Sequence, residues 1–286
     1  MQPRRFRHRV SFAAALFAAG LIAGPAARQR PDPPPYRILV TNDDGVQAPG
    51  IAAVAQILQA IGSVSIIAPA EQQSSSGHGL VTRDPIYRQD LTLPNGMRAI
   101  GLTATPASVV RVAMRMIMQP RPDLVVSGIN RGHNLGYSGY ISGTLAAARD
   151  AAMFGVPAVA ASADERATAA DYIAAAEEVL GVARRVKQYG LPPNTFLNVN
   201  IPLPPAGGYK GYRIVSQALM GGGDESFAEM KDPSGRTMYW NVFKAGGAAP
   251  EGTDMWAVTQ GYVAVTPMRL GETFQAQIEP LRKVFE

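Results

Sequence analysis

The sequence predicts an α/β fold in which a doubly wound, mainly parallel sheet carries an appended C-terminal β-hairpin arm. Short apolar runs, typical of buried strands, alternate with longer segments whose apolar residues recur at helical spacing. Short polar loops separate them, as in strand–helix–strand units around a parallel sheet. Towards the C-terminus this alternation ends, and a glycine-rich stretch indicates a projecting arm at about residues 218–250.

The first strand–helix unit carries two adjacent carboxylates. The apolar run Ile38–Val40 is typical of a buried strand, and Asn42, Asp43 and Asp44 follow it. A helix is predicted next from apolar residues at helical spacing: Ile51, Val54, Ile57, Leu58 and Ile61. The two aspartates therefore lie at the sheet edge where ligands bind in open α/β proteins. An Asp-Gly turn that caps the next helix is the alternative.

The remaining elements follow from the same two patterns. Strands are predicted at 64–68, 98–102, 123–126, 157–161, 196–201, 212–217, 238–243 and 261–267. Helices are predicted after Pro106, from Ser142, at 168–188 (kinked or divided) and at 274–283, with a turn at 232–235. The exits of the second and third confident strands are polar loops, at 71–79 and 127–136. We therefore expect three polar strand exits at one edge of the sheet.

These three exits offer oxygen ligands for a metal ion. The first supplies Asp43 and Asp44, the second the hydroxyls of residues 74–76, and the third the amide oxygen of Asn130. Adjacent like charges repel unless a cation or solvent separates them. Two carboxylates among oxygen-only ligands suit a hard cation, namely Mg²⁺, Mn²⁺ or Ca²⁺. Zinc is disfavoured, because the chain has no cysteine and only two histidines beyond its N-terminal stretch.

A second candidate segment is Ser142-Gly143-Thr144 at the start of an alanine-rich helix. Backbone N–H groups and hydroxyls at such a helix start can hold a phosphate. Simple N-capping of the helix explains the same residues. The sequence contains neither a Gly-x-Ser-x-Gly elbow nor a Walker loop, which argues against a serine hydrolase and against a P-loop nucleotide site.

The N-terminal stretch has the pattern of a secretory signal peptide. Four arginines precede an apolar run of about fourteen residues, which is short for a membrane span, and small residues follow. We predict a signal peptide at 1–27, a Pro-rich linker at 28–35 and one domain at 36–286, hence export, to the periplasm, with no membrane span after leader cleavage. Without those four arginines, 23 basic residues face 22 acidic ones, so no binding of a nucleic-acid polymer is expected.

Several of these segments together resemble the SurE family of metal-dependent 5′/3′-nucleotidases, also called survival proteins. The resemblance rests most specifically on Val40–Ile51 and Val126–Gly136, and on the Ser-rich loop between them. It continues through Ser142–Thr144, Leu197–Pro202, Gly252–Asp254 and Gly261–Val263, so it covers roughly residues 36 to 268. It implies a Rossmann-like core, one divalent ion (Mg²⁺ or Mn²⁺), nucleoside monophosphate substrates, and homodimers or homotetramers in which the arm reaches a neighbouring subunit.

The resemblance also implies site residues, position by position. The family's metal ligands fall on Asp43, Asp44, Ser74 and Asn130, and Ser74 is chosen over its neighbours by counting from Ala68-Pro69. Asp43 and Asp44 are the catalytic candidates, one holding the metal and the other acting as nucleophile or general base. The residues expected to orient phosphate are Asn42, Gly128, Asn134, Ser142 and Thr144. The chain departs from the family pattern at Ala70-Glu71, Ser108, Ile141 and Asp150, none of them an expected metal ligand.

The resulting hypothesis is a metal-dependent phosphomonoesterase that hydrolyses 5′-nucleotides, with 3′-nucleotides as a second candidate substrate class, to nucleoside and phosphate. One alternative keeps the catalyst but acts on a broader set of phosphomonoesters or on the ends of polyphosphate. Another is a nucleotide- or phosphate-binding protein without turnover. The paired carboxylates favour an enzyme, because plain binding does not need them.

Overall fold

The computed structural model describes residues 35–220, 223–245 and 248–285, which belong to one compact unit. The strands are β1 (Arg37–Thr41), β2 (Ser63–Pro69), β3 (Arg88–Thr92), β4 (Arg98–Leu102), β5 (Leu124–Arg131), β6 (Ala158–Ala163), β7 (Thr195–Ile201), β8 (Tyr212–Ile214), β9 (Gly223–Lys231), β10 (Thr237–Ala245) and β11 (Val263–Arg269). The α-helices are α1 (Pro49–Leu58), α2 (Pro106–Val112), α3 (Ser138–Ile141), α4 (Gly143–Met153), α5 (Ala169–Tyr189), α6 (Asp254–Thr259) and α7 (Ile278–Phe285).

Nine strands form the central sheet, in the order β3-β4-β2-β1-β5-β6-β7-β11-β8. The six strands from β4 to β7 in this order run parallel to their neighbours. Antiparallel pairs occur only towards the two ends, β3 with β4 and β11 with β7. The prediction of a doubly wound, mainly parallel sheet is therefore confirmed.

The strand order reverses between β1 and β5, and this reversal positions the functional site. From β1 the chain moves outward through β2 to β4, then returns to pair β5 with the other side of β1. In open α/β sheets the carboxyl ends of the strands at such a switch point border a crevice in which ligands bind. The two aspartates follow directly after β1, so the predicted placement of the carboxylate pair at this edge is correct.

The core lies on both faces of the sheet. Ile38, Leu39 and Val40 are fully buried, as are Leu124–Val126 of the neighbouring strand, because a parallel sheet is covered by helices on both sides. Helices α1 and α5 pack together on one face, and α2 and α4 pack together on the other. The long helix α5 is neither kinked nor divided, and the side chains of Thr168 and Asp171 cap its N-terminus reciprocally.

Four features differ from the sequence expectation. Residues 127–131, predicted as a loop, continue strand β5 with a register shift between Ser127 and Asn130. The cause is a close approach of two strands: a Cβ on Gly128 would lie 2.3 Å from the carbonyl oxygen of Ala161, so the chain reaches β6 only with glycine here. The edge strand β3 and the short helix α6 were not predicted, and β8 ends at Ile214, earlier than expected.

The appended arm is a β-hairpin, as predicted. Strands β9 and β10 pair antiparallel, and Asp232 forms the turn by accepting backbone hydrogen bonds from Ser234 and Arg236. The side chains of Tyr239 and Trp240 are 68% and 63% exposed, so they do not pack into the core of the described chain. The side chain of Phe243, the third predicted arm aromatic, lies outside the described residues.

The predicted signal peptide and most of the linker lie outside the described residues. They stay predictions, as do the bounds of the domain. Among the helices that the structure describes, none combines the length and the apolar character needed to cross a bilayer.

Candidate functional site

Asp43 is enclosed by the start of helix α4. Its carboxylate is 3% exposed and accepts a 2.7 Å hydrogen bond from the Thr144 hydroxyl and further bonds from the backbone N–H groups of Gly143 and Thr144. A Cβ on Gly143 would lie 2.9 Å from Asp43 Oδ2, so only glycine allows this contact. Helix α4 therefore packs directly onto the first aspartate and fixes its orientation.

Asp44 is held from the other side of the switch point. Its Oδ2 accepts a 2.8 Å hydrogen bond from the backbone N–H of Arg131, the last residue of β5. Unlike Asp43 it is only partly buried, and it lines an open cavity. Neither aspartate caps helix α1: its N-cap is Ala48, which makes no side-chain capping bond. The helix-capping alternative is therefore wrong, and neither carboxylate is occupied in capping helix α1.

Burial makes both carboxylates more basic than usual. It raises the pKa of Asp43, against the lowering effect of the Thr144 and backbone hydrogen bonds. For Asp44, burial raises the pKa to about 6; the Arg131 N–H lowers it, and the charge on Asp43 raises it further. Two neighbouring carboxylates that resist ionisation in the protein alone are a place where a cation would be strongly stabilised.

The Ser-rich loop approaches the aspartates from β2. The backbone N–H of Gln73 donates a 2.7 Å hydrogen bond to the Asp43 carbonyl oxygen, so the loop is tied to the main chain of the first aspartate. Ser74 is exposed, and its hydroxyl accepts a hydrogen bond from the Gln72 amide. Ser76 Oγ is buried without a partner among the described residues and lies 2.9 Å from the position of a Cβ on Gly143. The Ser76 hydroxyl thus borders the site, and the role of Ser74 as a metal ligand stays a prediction.

Asn130 presents its amide at the end of β5. Its Nδ2 donates a 2.7 Å hydrogen bond to the carbonyl oxygen of Gly132, which fixes the amide and leaves Oδ1 as the acceptor on offer. Gly128, predicted to orient phosphate, lies within strand β5, where its backbone closely approaches Ala161 of β6. The predicted roles of Asn130 as a metal ligand and of Gly128 in orienting phosphate stay predictions.

Asn134 is the centre of a buried amide network. Its Nδ2 donates to Ser162 Oγ at 2.8 Å and to Thr144 Oγ1 at 3.4 Å. Its backbone N–H donates to Asn200 Oδ1, and its carbonyl oxygen accepts from the amides of Asn198 and Asn200. In these contacts Asn134 supports Thr144, which in turn holds Asp43. A role in orienting phosphate stays a prediction.

The other predicted phosphate residues also make structural contacts. Ser142 Oγ accepts a hydrogen bond from the Leu145 N–H, so it is the N-cap of α4, the alternative that the sequence left open. Asn42 is fully buried, and its Nδ2 donates to the Gly45 carbonyl oxygen within the turn that carries the aspartates. Its Oδ1 is buried without a partner in the described part of the chain.

Sequence reasoning did not assign roles to several residues at the site. Asn198 and Asn200 lie in the segment Leu197–Pro202, which resembles the family, but they received no role of their own. Buried amides at alternate positions of an apolar strand indicate an internal hydrogen-bond network. Asp254, fully buried, accepts backbone hydrogen bonds from Gly136 and Ala218 and so anchors the loop that follows Asn134. Gln72 and Arg131 lie at the open side of the site, with no sequence signal beyond their proximity to the motifs.

The donor set fits a hard divalent cation. Among the described residues no three His, Cys, Asp or Glu side chains cluster, so a bound ion must complete its coordination with neutral oxygens. The Ser76 hydroxyl, which like Asp43 lies close to the Cβ position of Gly143, and the Asn130 amide oxygen at the end of β5 are neutral oxygens of this kind. Carboxylate, hydroxyl and amide oxygens are the ligands that Mg²⁺, Mn²⁺ and Ca²⁺ accept.

Fold and site together define an α/β protein with a pair of neighbouring carboxylates, one buried and one partly buried, at the switch point of a doubly wound sheet. A family model described as "Survival protein SurE" matches residues 38–221. The chain is 39% identical over 252 residues to "5′-nucleotidase SurE 1" of Thermus thermophilus, covering 87% of the chain and 98% of that enzyme. It is 40% identical over 250 residues to "5′-nucleotidase SurE" of Geobacter sulfurreducens, covering 86% and 92%. The chain therefore belongs to the SurE family.

A solved structure supports the same assignment. The crystal structure of the SurE protein from Aquifex aeolicus superposes with a TM-score of 0.75 at 33% sequence identity, covering 87% of this chain and all of that one. The Rossmann-like core implied by the resemblance is thus confirmed.

The comparisons contradict the predicted periplasmic location. The curated relatives are cytoplasmic-type enzymes. The match covers 98% of the Thermus enzyme, so almost none of that protein is left for a leader. The expectation of export rested on the N-terminal pattern alone, and the periplasmic assignment drawn from it is wrong.

Proposed function

We propose that the chain is a divalent-metal-dependent phosphomonoesterase that hydrolyses nucleoside monophosphates to nucleoside and phosphate. The observation that carries this proposal is the buried aspartate pair at the switch point, in a chain whose curated relatives are named 5′-nucleotidases. The family is divalent-metal dependent in general. A protein that only bound a nucleotide would have no need to place two carboxylates where both resist ionisation.

The metal proposed is a single Mg²⁺ or Mn²⁺, held by Asp43, Asp44, Ser74 and Asn130. When bound, such an ion neutralises charge on the phosphate oxygens and makes water a better nucleophile. Ser74 is supported by its place next to Gln73, whose N–H is bonded to Asp43. Asn130 is supported by its fixed amide, which leaves an oxygen on offer at the end of β5.

The two aspartates receive different roles from their surroundings. Asp43 is immobilised by Thr144 and the amides of α4, so it is the positioning carboxylate. Asp44 faces the open cavity, the side on which an alcohol portion can leave. In hydrolysis the bond between phosphorus and the ester oxygen breaks, a water oxygen bonds to phosphorus, and one water proton ends on the leaving oxygen. Asp44 is the group that carries this proton.

The phosphate itself is proposed to lie against the start of α4. Ser142 and Thr144 are buried there, and Asn134 supports Thr144 from behind. Asn42 adds a buried amide oxygen and orders the turn, while Gly128 allows β5 to reach its position. For assembly, the exposed Tyr239 and Trp240 of the arm support a homodimer or homotetramer in which the arm contacts a second subunit.

The test is phosphate release by the full chain after removal of metal. AMP is supplied with no metal, with Mg²⁺ or with Mn²⁺, in parallel with Asp43→Asn. Release that returns with metal in the parent and not in the variant is the expected result. Folded, metal-loaded protein that releases no phosphate from AMP, from a panel of other phosphomonoesters or from polyphosphate would contradict the proposal. Release from esters or polyphosphate without AMP turnover would instead identify the broader phosphatase.

A further inference from the structure

The open side of the site is a cavity of about 520 Å³ beside Asp44. Its polar and aromatic lining consists of Asp44, Gln72, Arg131, Glu165, Arg166 and Tyr172. Pockets that enclose small organic ligands commonly have volumes of roughly 300–1,000 Å³. The cavity therefore has room for a nucleoside and not only for a phosphate ion.

The residues around Asp43 leave this cavity as the space for the alcohol portion of a phosphate ester. On one side the start of α4 closes around the Asp43 carboxylate, with the Cβ position of Gly143 only 2.9 Å from Oδ2. On another side the Ser-rich loop is tied to Asp43 by the Gln73 N–H. An ester whose phosphate lies at the aspartate pair must direct its alcohol portion elsewhere, and Asp44 opens onto the cavity.

Arg131 offers unused donors in this cavity. Its backbone N–H binds Asp44 and its Nε donates to the Glu165 carbonyl oxygen at 3.2 Å, so the side chain is anchored at the rim. Within the described ranges its two terminal nitrogens form no hydrogen bond. By contrast, the guanidinium of Arg166 is engaged by both oxygens of Asp164. A fixed guanidinium with free terminal nitrogens suits a planar group that carries neighbouring acceptors, as nucleobases do.

The opposite wall supplies an aromatic ring and an amide. Tyr172 is 4% exposed and packs against Gly50, where a Cβ would come within 3.2 Å of its ring. Burial, followed by the charge on Asp44, raises the pKa of Tyr172, while the charge on Arg131 lowers it, which agrees with a ring that lies close to both groups. Gln72 adds an amide, a side chain suited to pairing with base edges.

A larger cavity of about 1,050 Å³ shares Arg166 but is a weaker candidate. It is lined by His133, Leu135, Trp256 and the proline-rich turn after β7, and neither aspartate borders it in the described chain. A substrate with its phosphate at the aspartate pair reaches the smaller cavity first.

We infer that the cavity beside Asp44 binds the ribose and base of the nucleotide, with Arg131 as a specificity-determining residue that recognises the base. This inference rests on the proposed nucleotidase function, since it assigns the leaving group of that reaction to one cavity. It makes Asp44 the carboxyl closest to the leaving oxygen, on the side to which the proton must go. It also predicts that esters of a small alcohol, such as methyl phosphate, lose little activity when the cavity is filled.

The experiment fills the cavity and compares two kinds of ester. Ala48 lines the cavity as the N-cap residue of α1 and has no assigned role in the site, so Ala48→Trp places a ring in the cavity. For AMP, GMP and UMP, kcat/KM should fall by about tenfold or more through a rise in KM, whereas kcat/KM for methyl phosphate, whose alcohol portion is too small to fill the cavity, should change by less than about twofold. Arg131→Ala should raise KM for the nucleotides in the same way. Arg88→Ala on the edge strand β3 removes an equal charge far from the switch point. It should change the kinetic parameters for neither kind of ester.

A binding measurement separates this inference from the proposed function. Equilibrium binding of adenosine, guanosine and uridine needs no turnover, and Ala48→Trp should weaken it by about tenfold while Arg88→Ala leaves it unchanged. If nucleosides bind in this way but no ester is hydrolysed, the proposed function fails and the cavity assignment stands. Ala48→Trp is shown to be folded by its thermal transition. If it lowers kcat/KM for both kinds of ester equally, or binds nucleosides as tightly as the parent does, the cavity assignment is overturned.

Discussion

The two aspartates of the site are neighbours in sequence but occupy opposite environments. Asp43 lies on the enclosed side, where a hydroxyl and the backbone amides of α4 hold its carboxylate and Asn134 supports that hydroxyl. Asp44 lies on the open side, with one backbone hydrogen bond and a cavity in front of it. The enclosed side has the contacts that fix geometry, and the open side has free donors. One side therefore positions the reacting groups, and the other exchanges protons and selects the substrate.

Removing either carboxylate charge should have the largest effect. Asp43→Asn keeps an oxygen that accepts the Thr144 hydrogen bond but removes a charge that a cation needs, and Asp44→Asn removes the proton carrier. Each should lower kcat/KM for AMP by about 10³-fold or more, on the order of 4 kcal/mol. Phosphate release at saturating metal measures this loss, with circular dichroism to show an intact fold. Near-parental activity in either variant would refute the division of roles.

The metal-free protein should show the cost of burying Asp44. Burial raises its pKa to about 6 in the folded chain, against an ordinary value of 3.8, so the group's stabilising contribution is fully present below about pH 4 and is lost as the pH rises through about 6. Asp44→Asn should therefore gain stability over the parent above about pH 7, by at most about 3 kcal/mol before solvent screening on the open side is considered. Urea unfolding without metal measures the difference. The same difference at low and neutral pH would contradict this origin.

Breaking the enclosed side should destabilise the fold and reduce turnover together. Thr144→Val removes the hydrogen bond to Asp43 and leaves the Asn134 amide without that acceptor. We expect a loss of about 1–3 kcal/mol in the free energy of unfolding and a drop of about 10-fold or more in metal affinity. Thr144→Ser, which retains the hydroxyl, is the matched control and should behave close to the parent. Equal losses in both variants would show that the methyl group matters and not the hydrogen bond.

The smallest effect should distinguish two serines of the same loop. Ser74→Ala should weaken Mg²⁺ or Mn²⁺ binding by about tenfold. The effect is smaller than that of losing a carboxylate, because a neutral hydroxyl contributes less to the affinity for a cation. Ser76→Ala should leave metal affinity unchanged and should not lower stability, because it removes a buried hydroxyl that has no partner in the described chain. Metal titration followed by calorimetry compares the two variants. The reverse ranking would assign the ligand to Ser76.

Much of the fold was predictable because its signals are local. The apolar run Ile38–Val40 and the helical spacing after Pro49 depend on neighbouring residues alone, and both elements are found. Strand β5 was predicted too short because its last residues contain glycine and polar side chains, which are typical of loops. Only the partner strand, against which Gly128 packs, keeps these residues extended.

The sequence by itself determined that two carboxylates follow a buried strand at the binding edge of an α/β sheet, and that the chain resembles one family. These properties follow from hydrophobic pattern and motif, which are written in consecutive residues. The tertiary structure alone decided that Asp43 is enclosed and Asp44 open, because their environments come from distant residues. Thr144 lies 101 residues from Asp43, and Arg131 lies 87 residues from Asp44. Burial and hydrogen bonding across such separations exist only after the sheet has assembled and the helices have packed against it.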